Sequence, residues 1–224
     1  MGHEVEKAAL GRGHIIVARY DSETDWNKVQ MPECDVVIDF STAGNAPLIV
    51  NRCFDLNIPV VSGTTGWNEL VPIYREKAVK QNKSFLYASN FSIGVNVVFA
   101  LNKKLASLIG SQSNYNAKIE EIHHIHKKDA PSGTAISLAQ GILDNCNKYD
   151  GWLLDKQEDD KITINSLRIG EIPGTHTVIW ASEIDTIELK HTAHNRSGFA
   201  IGAILAAEWL QGRKGSFSMQ DVVN

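Results

Sequence analysis

The densest chemistry in the sequence is the run Glu120-Glu121-Ile122-His123-His124-Ile125-His126-Lys127-Lys128, followed by Asp129-Ala130-Pro131-Ser132-Gly133-Thr134. An imidazole can deliver a proton near neutral pH, and a lysine holds negative charge. If a strand runs through residue 127, its period of two puts His123 and Lys127 on one face, with His124 and His126 on the other. Pro131 ends the extended segment. Ser132 is then a good N-cap, and Gly133 and Thr134 open a helix. Unpaired N–H groups and the dipole make such a helix start an anion site. A cationic strand end beside it suits a small carboxylate. Two other readings use the same residues. His124 and His126 could ligate a metal, but no nearby cysteine or separate carboxylate set completes a site, so none is expected. A histidine-rich strand could also be purely structural.

The elements that must position this cluster read as two groups. Residues 3–12 form a helix with Val5, Ala8 and Ala9 on one face, stopped by Gly11 and Gly13. Strands are expected at 14–20, 35–40, 58–62 and 84–88, with helices at 45–56 and 67–80 between the later ones. Short apolar strands alternating with helices mean βαβ units and a parallel sheet. Right-handed crossovers put every strand's C-terminal end on one edge, where ligands bind. Three small, polar loops belong there: Phe40-Ser41-Thr42, Gly63-Thr64-Thr65-Gly66 and Ser89-Asn90-Phe91-Ser92. After residue 93 the pattern changes. A helix at 95–109, a strand at 118–126 and a helix at 132–146 precede strands at 162–168, 176–181 and 186–191. Consecutive strands with short connections make an antiparallel or mixed sheet. A helix at 196–211 closes the chain and returns to the first domain. The division is thus 1–93 with 197–224, and 94–196.

A dinucleotide-binding unit starts with a strand, then Gly-x-Gly-x-x-Gly, then a helix. Here Met1-Gly2 stands directly before the helix, and Asp21 closes the next expected strand, where a carboxylate meets ribose hydroxyls. Gly2 is either the third glycine of that fingerprint, with the first strand absent, or an ordinary second residue.

Composition narrows the rest. The formal net charge is −4, so no basic field favours nucleic acid. Three scattered cysteines, with no Cys-x-x-Cys, suggest neither a disulfide framework nor a zinc knuckle and fit a reducing cytoplasm. The longest apolar run, 198–210, contains Glu208 and is too short to span a membrane. The first residues do not read as a signal peptide.

The segment from His123 to Lys127, continuing through Asp129-Ala-Pro-Ser-Gly-Thr-Ala135, resembles the signature of the 4-hydroxy-tetrahydrodipicolinate (dihydrodipicolinate) reductase family. Asp39-Phe-Ser-Thr42, Gly63-Thr-Thr-Gly66, Ser89-Asn-Phe-Ser-Ile-Gly-Val-Asn96 and Gly198-Phe-Ala-Ile-Gly-Ala203 sit in the family's order. The resemblance covers nearly the whole chain. It implies an α/β fold: a Rossmann-like parallel-sheet domain lacking its first strand, and a smaller α+β substrate and oligomerisation domain with a mixed sheet. It implies NADH- or NADPH-dependent reduction of a cyclic imine dicarboxylate, with loss of water from the hydroxylated form, in lysine and diaminopimelate biosynthesis. His123 would donate the proton, with Lys127 as second acid or substrate anchor. His124, Ser132, Gly133 and Thr134 would hold the substrate. Met1, Gly2, Asp21, Phe40, Ser41, Gly63, Thr64, Thr65, Ala88, Ser89, Asn90 and Phe91 would line the cofactor. Arg196 stands where the family often keeps a basic residue. The family also implies a homotetramer. The alternative is a non-catalytic or weakly active dicarboxylate-binding or assembly member whose nucleotide site is broken.

Overall fold

A computed structural model describes residues 1–21, 23–26, 28–112, 114–195 and 197–224. Arg196 lies outside the described residues. The chain forms two compact units, Met1–Ile93 with Ser197–Asn224, and residues 94–196.

In the first unit, β1 (Val37–Asp39), β2 (Val60–Ser62) and β3 (Ser84–Tyr87) are parallel neighbours in chain order. Their side chains alternate between two cores. Val60 and Phe85 face α2 (Ala46–Asp55) and α3 (Val71–Lys80), packing with Ile49, Val50 and Phe54. Val61 and Leu86 face the opposite way, toward α1 (Gly2–Gly11) and α6 (Ser197–Leu210), with Val5, Ala203 and Leu210. Burial on both faces explains why these strands read as continuous apolar runs. Pro47 and Pro72 sit in the first turns of α2 and α3, where a missing N–H costs nothing. Pro72 also sets the start of α3, four residues later than the apolar pattern suggests. A short β9 (Gly215–Phe217) adds in parallel to β3, and α7 (Met219–Val223) follows it; neither had a clear sequence signal.

Residues 14–20, expected as a strand, form no ladder among the described residues. A strand needs a neighbour to receive its N–H and C=O groups. The sequential order β1-β2-β3 matches the last three strands of the 2-1-3-4-5 doubly wound arrangement. In that arrangement the leading strand lies between residues 14–20 and β1. Residues 14–20 have no such neighbour among the described residues.

In the second unit, α4 (Ile93–Ile109) leads to a five-stranded sheet of order β5-β6-β4-β7-β8. Its strands are β4 (Asn116–His123), β5 (Gly151–Leu154), β6 (Lys161–Arg168), β7 (Gly174–Ala181) and β8 (Thr186–Ala193). The sheet is mixed: β4 pairs parallel with β6 and antiparallel with β7. One face carries Ile119, Ile162, Ile164, Val178 and Trp180, all fully buried with Leu138 and Ile142 of α5 (Gly133–Leu143). The helices meet closely, since Asn102 Nδ2 donates to the Leu138 carbonyl at 2.9 Å across a contact that Gly141 leaves open. β5 is the strand that the sequence pattern did not show. No helix among the described residues is long and apolar enough to cross a membrane.

The tightest approach in the first unit is between α6 and the loop after β3. A Cβ at Gly202 would lie 1.8 Å from the Phe91 carbonyl oxygen. Backbone cannot yield as a flexible side chain can, so Gly202→Ala should destabilise the unit by about 1–3 kcal/mol. Urea unfolding measures this, and a midpoint equal to wild type would show that the helix and loop are not packed this tightly.

Candidate active site

The site in the second unit is built on the buried face of β4. Period two places Ala117, Ile119, Glu121 and His123 together, all buried. The strand ends at His123, not at residue 126. Its ladder runs out there, because the last pair with β6 is His123 with Arg168. The chain turns, with Lys127 N–H donating to the His124 carbonyl at 3.1 Å and Ile125 N–H to that of Gly170 at 3.0 Å. Strand alternation therefore does not relate Lys127 to His123. Lys127 Nζ lies 2.7 Å from both carboxylate oxygens of Asp129. His126, exposed, meets Glu171 at 3.1 Å.

Ser132 caps α5 as its residue type suggests: Oγ accepts the Ala135 N–H at 3.2 Å. Its own N–H donates to Glu121 Oε1 at 3.0 Å, and its Oγ lies 3.1 Å from His176 Nε2. Ser132 is thus committed to protein partners, and Gly133 and Thr134 follow it at the helix start. A Cβ on Gly133 would meet nothing within 4 Å, so an anion can approach there closely.

Three residues of this cluster were not singled out from sequence. Glu121 is fully buried and receives Ser132 N–H, Ser166 Oγ and Arg168 Nη2 on Oε1. His176 packs edge-on to His123 with ring centroids 5.0 Å apart, although it reads from sequence as a structural histidine. Arg168, at the end of β6, also donates to the carbonyls of Lys127 and Asp129. The available signal was an acid two residues before His123 on an otherwise apolar strand face.

Burial alone would push the Glu121 carboxyl up, but His176, Ser132 and Ser166 outweigh it and hold it well below the ordinary carboxylate range. Burial pushes His123 down to about 4; His176, Lys127 and Arg168 push the same way and Glu121 opposes them. Glu121, His123 and His176 bring three ligand-type atoms within 4.8 Å of one another, the one such group among the described residues. The guanidinium of Arg168, 3.3 Å from the same carboxylate, already supplies its countercharge and opposes a dication. The His124–His126 pair weighed for a metal is not in this group; its rings are 6.0 Å apart.

In the first unit, Asp39, Ser62 and Tyr87 lie side by side in the sheet, so the loops that follow them share one edge. Asp39 is buried and accepts from Ser62 Oγ at 2.7 Å and Ser41 N–H at 3.0 Å. Ser41 N–H is shared with Thr64 Oγ1 at 2.8 Å, tying the first loop to the second. Gly63 lies beneath the Phe40 ring, where a Cβ would come within 2.2 Å, and Phe40 meets Phe91 edge-on at 5.6 Å. Phe40, Ser41, Gly63, Thr64 and Phe91 thus form one connected patch. Thr65 and Ser89 are exposed beside it, and Ala88 and Asn90 half-buried. Met1 and Gly2 open α1, exposed and with no side-chain cap. Asp21 accepts the Glu23 N–H at 3.0 Å within its own turn, and Arg19 pairs with Glu6.

Family models match both halves: dihydrodipicolinate reductase N-terminus over residues 1–91, and its C-terminus over 94–223. The chain belongs to the dihydrodipicolinate reductase family. A curated 4-hydroxy-tetrahydrodipicolinate reductase of Christiangramia forsetii is 47% identical over 100% of this chain and 94% of its own length. One from Akkermansia muciniphila is 37% identical over 100% of this chain and 93% of its own. A solved dipicolinate-bound dihydrodipicolinate reductase from Paenisporosarcina sp. TG-14 shares the fold, with a TM-score of 0.76 at 22% identity, covering 97% of this chain and 92% of that one. The α/β fold with one parallel and one mixed sheet is that of the reductase family.

The protonation pattern makes stability acid-sensitive. Unfolding restores His123 to its ordinary 6.5, so between 6.5 and about 4 the unfolded chain binds the extra proton. Stability is full above 6.5 and falls as pH drops through that window, by about 3 kcal/mol if the whole shift is expressed. Glu121 adds to the loss below 4.5, since its folded carboxyl resists protonation longest. His123→Asn should flatten the upper part of the curve in thermal melts. A wild-type melting temperature independent of pH from 7 to 5 would contradict the burial of a neutral imidazole.

Proposed function

We infer that the chain reduces 4-hydroxy-tetrahydrodipicolinate to tetrahydrodipicolinate with NADH or NADPH, in lysine and diaminopimelate biosynthesis. The observation that carries this reading is the match of both halves of the chain to one reductase family. The non-catalytic alternative is not favoured, because the match includes the nucleotide-binding half.

The first unit fits a nicotinamide dinucleotide. Strand-end loops share one edge of a parallel sheet, and a Cβ on Gly2 at the uncapped start of α1 would meet nothing within 4 Å. We assign Met1 and Gly2 to the pyrophosphate and Asp21 to the adenosine ribose. Phe40 and Ser41 take the nicotinamide side. Gly63, Thr64, Thr65, Ala88, Ser89, Asn90 and Phe91 line the rest. When bound, the nicotinamide supplies the hydride.

In the second unit we assign the substrate, a small dicarboxylate. The N–H groups of Gly133 and Thr134 at the start of α5 take one carboxylate, with Ser132 holding the helix start in place. His124 contacts a carboxylate from the turn after β4. Lys127 transfers from Asp129 to the substrate, exchanging one carboxylate partner for another. His123 delivers the proton that accompanies hydride transfer. In the ligand-free protein its imidazole is neutral at pH 7. Two substrate carboxylates offset His176, Lys127 and Arg168, and so raise its proton affinity.

The finer assembly we propose is a homotetramer through the sheet face opposite the core. Ile122, Leu167 and Ile179 stand there beside Thr163, Thr175 and Thr177 and the Lys118–Glu120 ion pair, and belong to no core cluster. The three cysteines are free, in keeping with a reducing cytoplasm. Sedimentation should give four chains; a monomer at micromolar concentration would contradict the assembly.

Consumption of NADH or NADPH with freshly generated substrate tests the activity, and none above background would refute it. His123→Ala should lower kcat by about 100-fold or more with little change in KM, since proton delivery is a transition-state task. An unchanged kcat would remove His123 from that role. Dipicolinate binding should take up a proton, seen as a calorimetric heat that varies with buffer ionisation enthalpy. It should tighten as pH falls through neutrality.

A further inference from the structure

We propose that Glu121 is a positioning residue of the reductase, whose buried carboxylate orients His123 so that Nδ1 carries its proton inward and Nε2 is the atom presented for proton transfer. This rests on the reading of His123 as proton donor.

The two oxygens of Glu121 have different surroundings. Oε1 is saturated by three donors from β6 and the start of α5: Ser166 Oγ, Arg168 Nη2 and Ser132 N–H. Those contacts fix the carboxylate plane. Oε2 is thereby aimed at two imidazoles, with His123 Nδ1 at 3.4 Å and His176 Nε2 at 3.6 Å. Both Oε2 and His123 Nδ1 are buried and neither has a hydrogen-bond partner. Two orphaned, complementary atoms facing each other form a hydrogen bond once Nδ1 bears hydrogen and the gap closes by a few tenths of an ångström. The opposite tautomer would leave an imidazole lone pair against a carboxylate oxygen, which is repulsive.

The other ring nitrogen has been left room. Nε2 points toward Gly174, where a Cβ would stand only 3.1 Å away. Glycine keeps that side of the ring clear for a reactant. The charged groups around the ring are Glu121 from β4, His176 from β7, Arg168 from β6 and Lys127 from the turn after β4; α5 contributes the uncharged Ser132. Glu121 is the one anion among them. It is therefore the group that makes an imidazolium at His123 attainable when substrate binds. This is the arrangement of a carboxylate that fixes the tautomer of a catalytic histidine and stabilises its charged form.

Two measurements test it. Two-bond proton–nitrogen spectra of the ligand-free wild-type protein at pH 7, with His123→Asn identifying the signal, should show the Nδ1–H tautomer. An Nε2–H tautomer would overturn the proposal without any variant having to fold. Glu121→Gln keeps an acceptor for Ser132 and Ser166 but turns an amide N–H toward His123. It should lower kcat about 10-fold or more with a much smaller change in KM. The descending limb of its pH profile should move to lower pH. Combined with His123→Ala, it should add no further loss of kcat. An unshifted profile, or additive losses, would make Glu121 merely structural. An unimpaired His123→Ala instead sinks the proton-donor reading itself, so the two failures are distinguishable.

Discussion

An ionised carboxylate inside the second unit is the constraint on which the site depends. Glu121 sits on a strand face whose neighbouring positions are filled by Ala117 and Ile119, packed in the core. A buried charge of this kind is tolerated only when donors surround it. The fold supplies donors from the N-terminus of α5 and the end of β6, and sets the His176 imidazole of β7 3.6 Å from the other oxygen. Meeting that requirement draws Ser132, Arg168 and His176 to one point. The same arrangement places the helix start for an anion beside the imidazole of His123.

The first unit has a quieter version of the same device. Asp39 is buried at the end of β1, and its oxygens collect Ser62 Oγ and the Ser41 N–H. Those bonds pull the loops after β1 and β2 together, and Thr64 Oγ1 completes the tie. The Phe40 ring can then lie over Gly63, because no Cβ is there to lift it. In both units a carboxylate at a strand end organises the backbone that would meet a ligand. Neither carboxylate stood out as a site residue from its type alone.

How much was legible follows from which forces were local. The helix start at Ser132 was readable because capping is a contact between neighbours in sequence. The parallel sheet was readable because burial on both faces writes continuous apolar runs into β2 and β3. Residues 14–20 carry an equally good strand pattern and form no ladder among the described residues, because a ladder belongs to two segments. The end of β4 at His123 was likewise invisible. It depends on where β6 stops pairing, not on any residue between His123 and Lys127.

The sequence by itself determined the fold class, the family signature and the inventory of groups able to move a proton or hold a carboxylate. These are matters of residue type and short-range spacing, which covalent connectivity preserves. Only the tertiary structure decided which of those groups meet. Glu121, Arg168 and His176 lie on three different strands, and β-sheet pairing across many residues of chain brings them to His123. Lys127, four residues from His123 in sequence, is paired with Asp129. Proton affinity and charge compensation depend on distance in space, so the working state of the histidine was set by the fold.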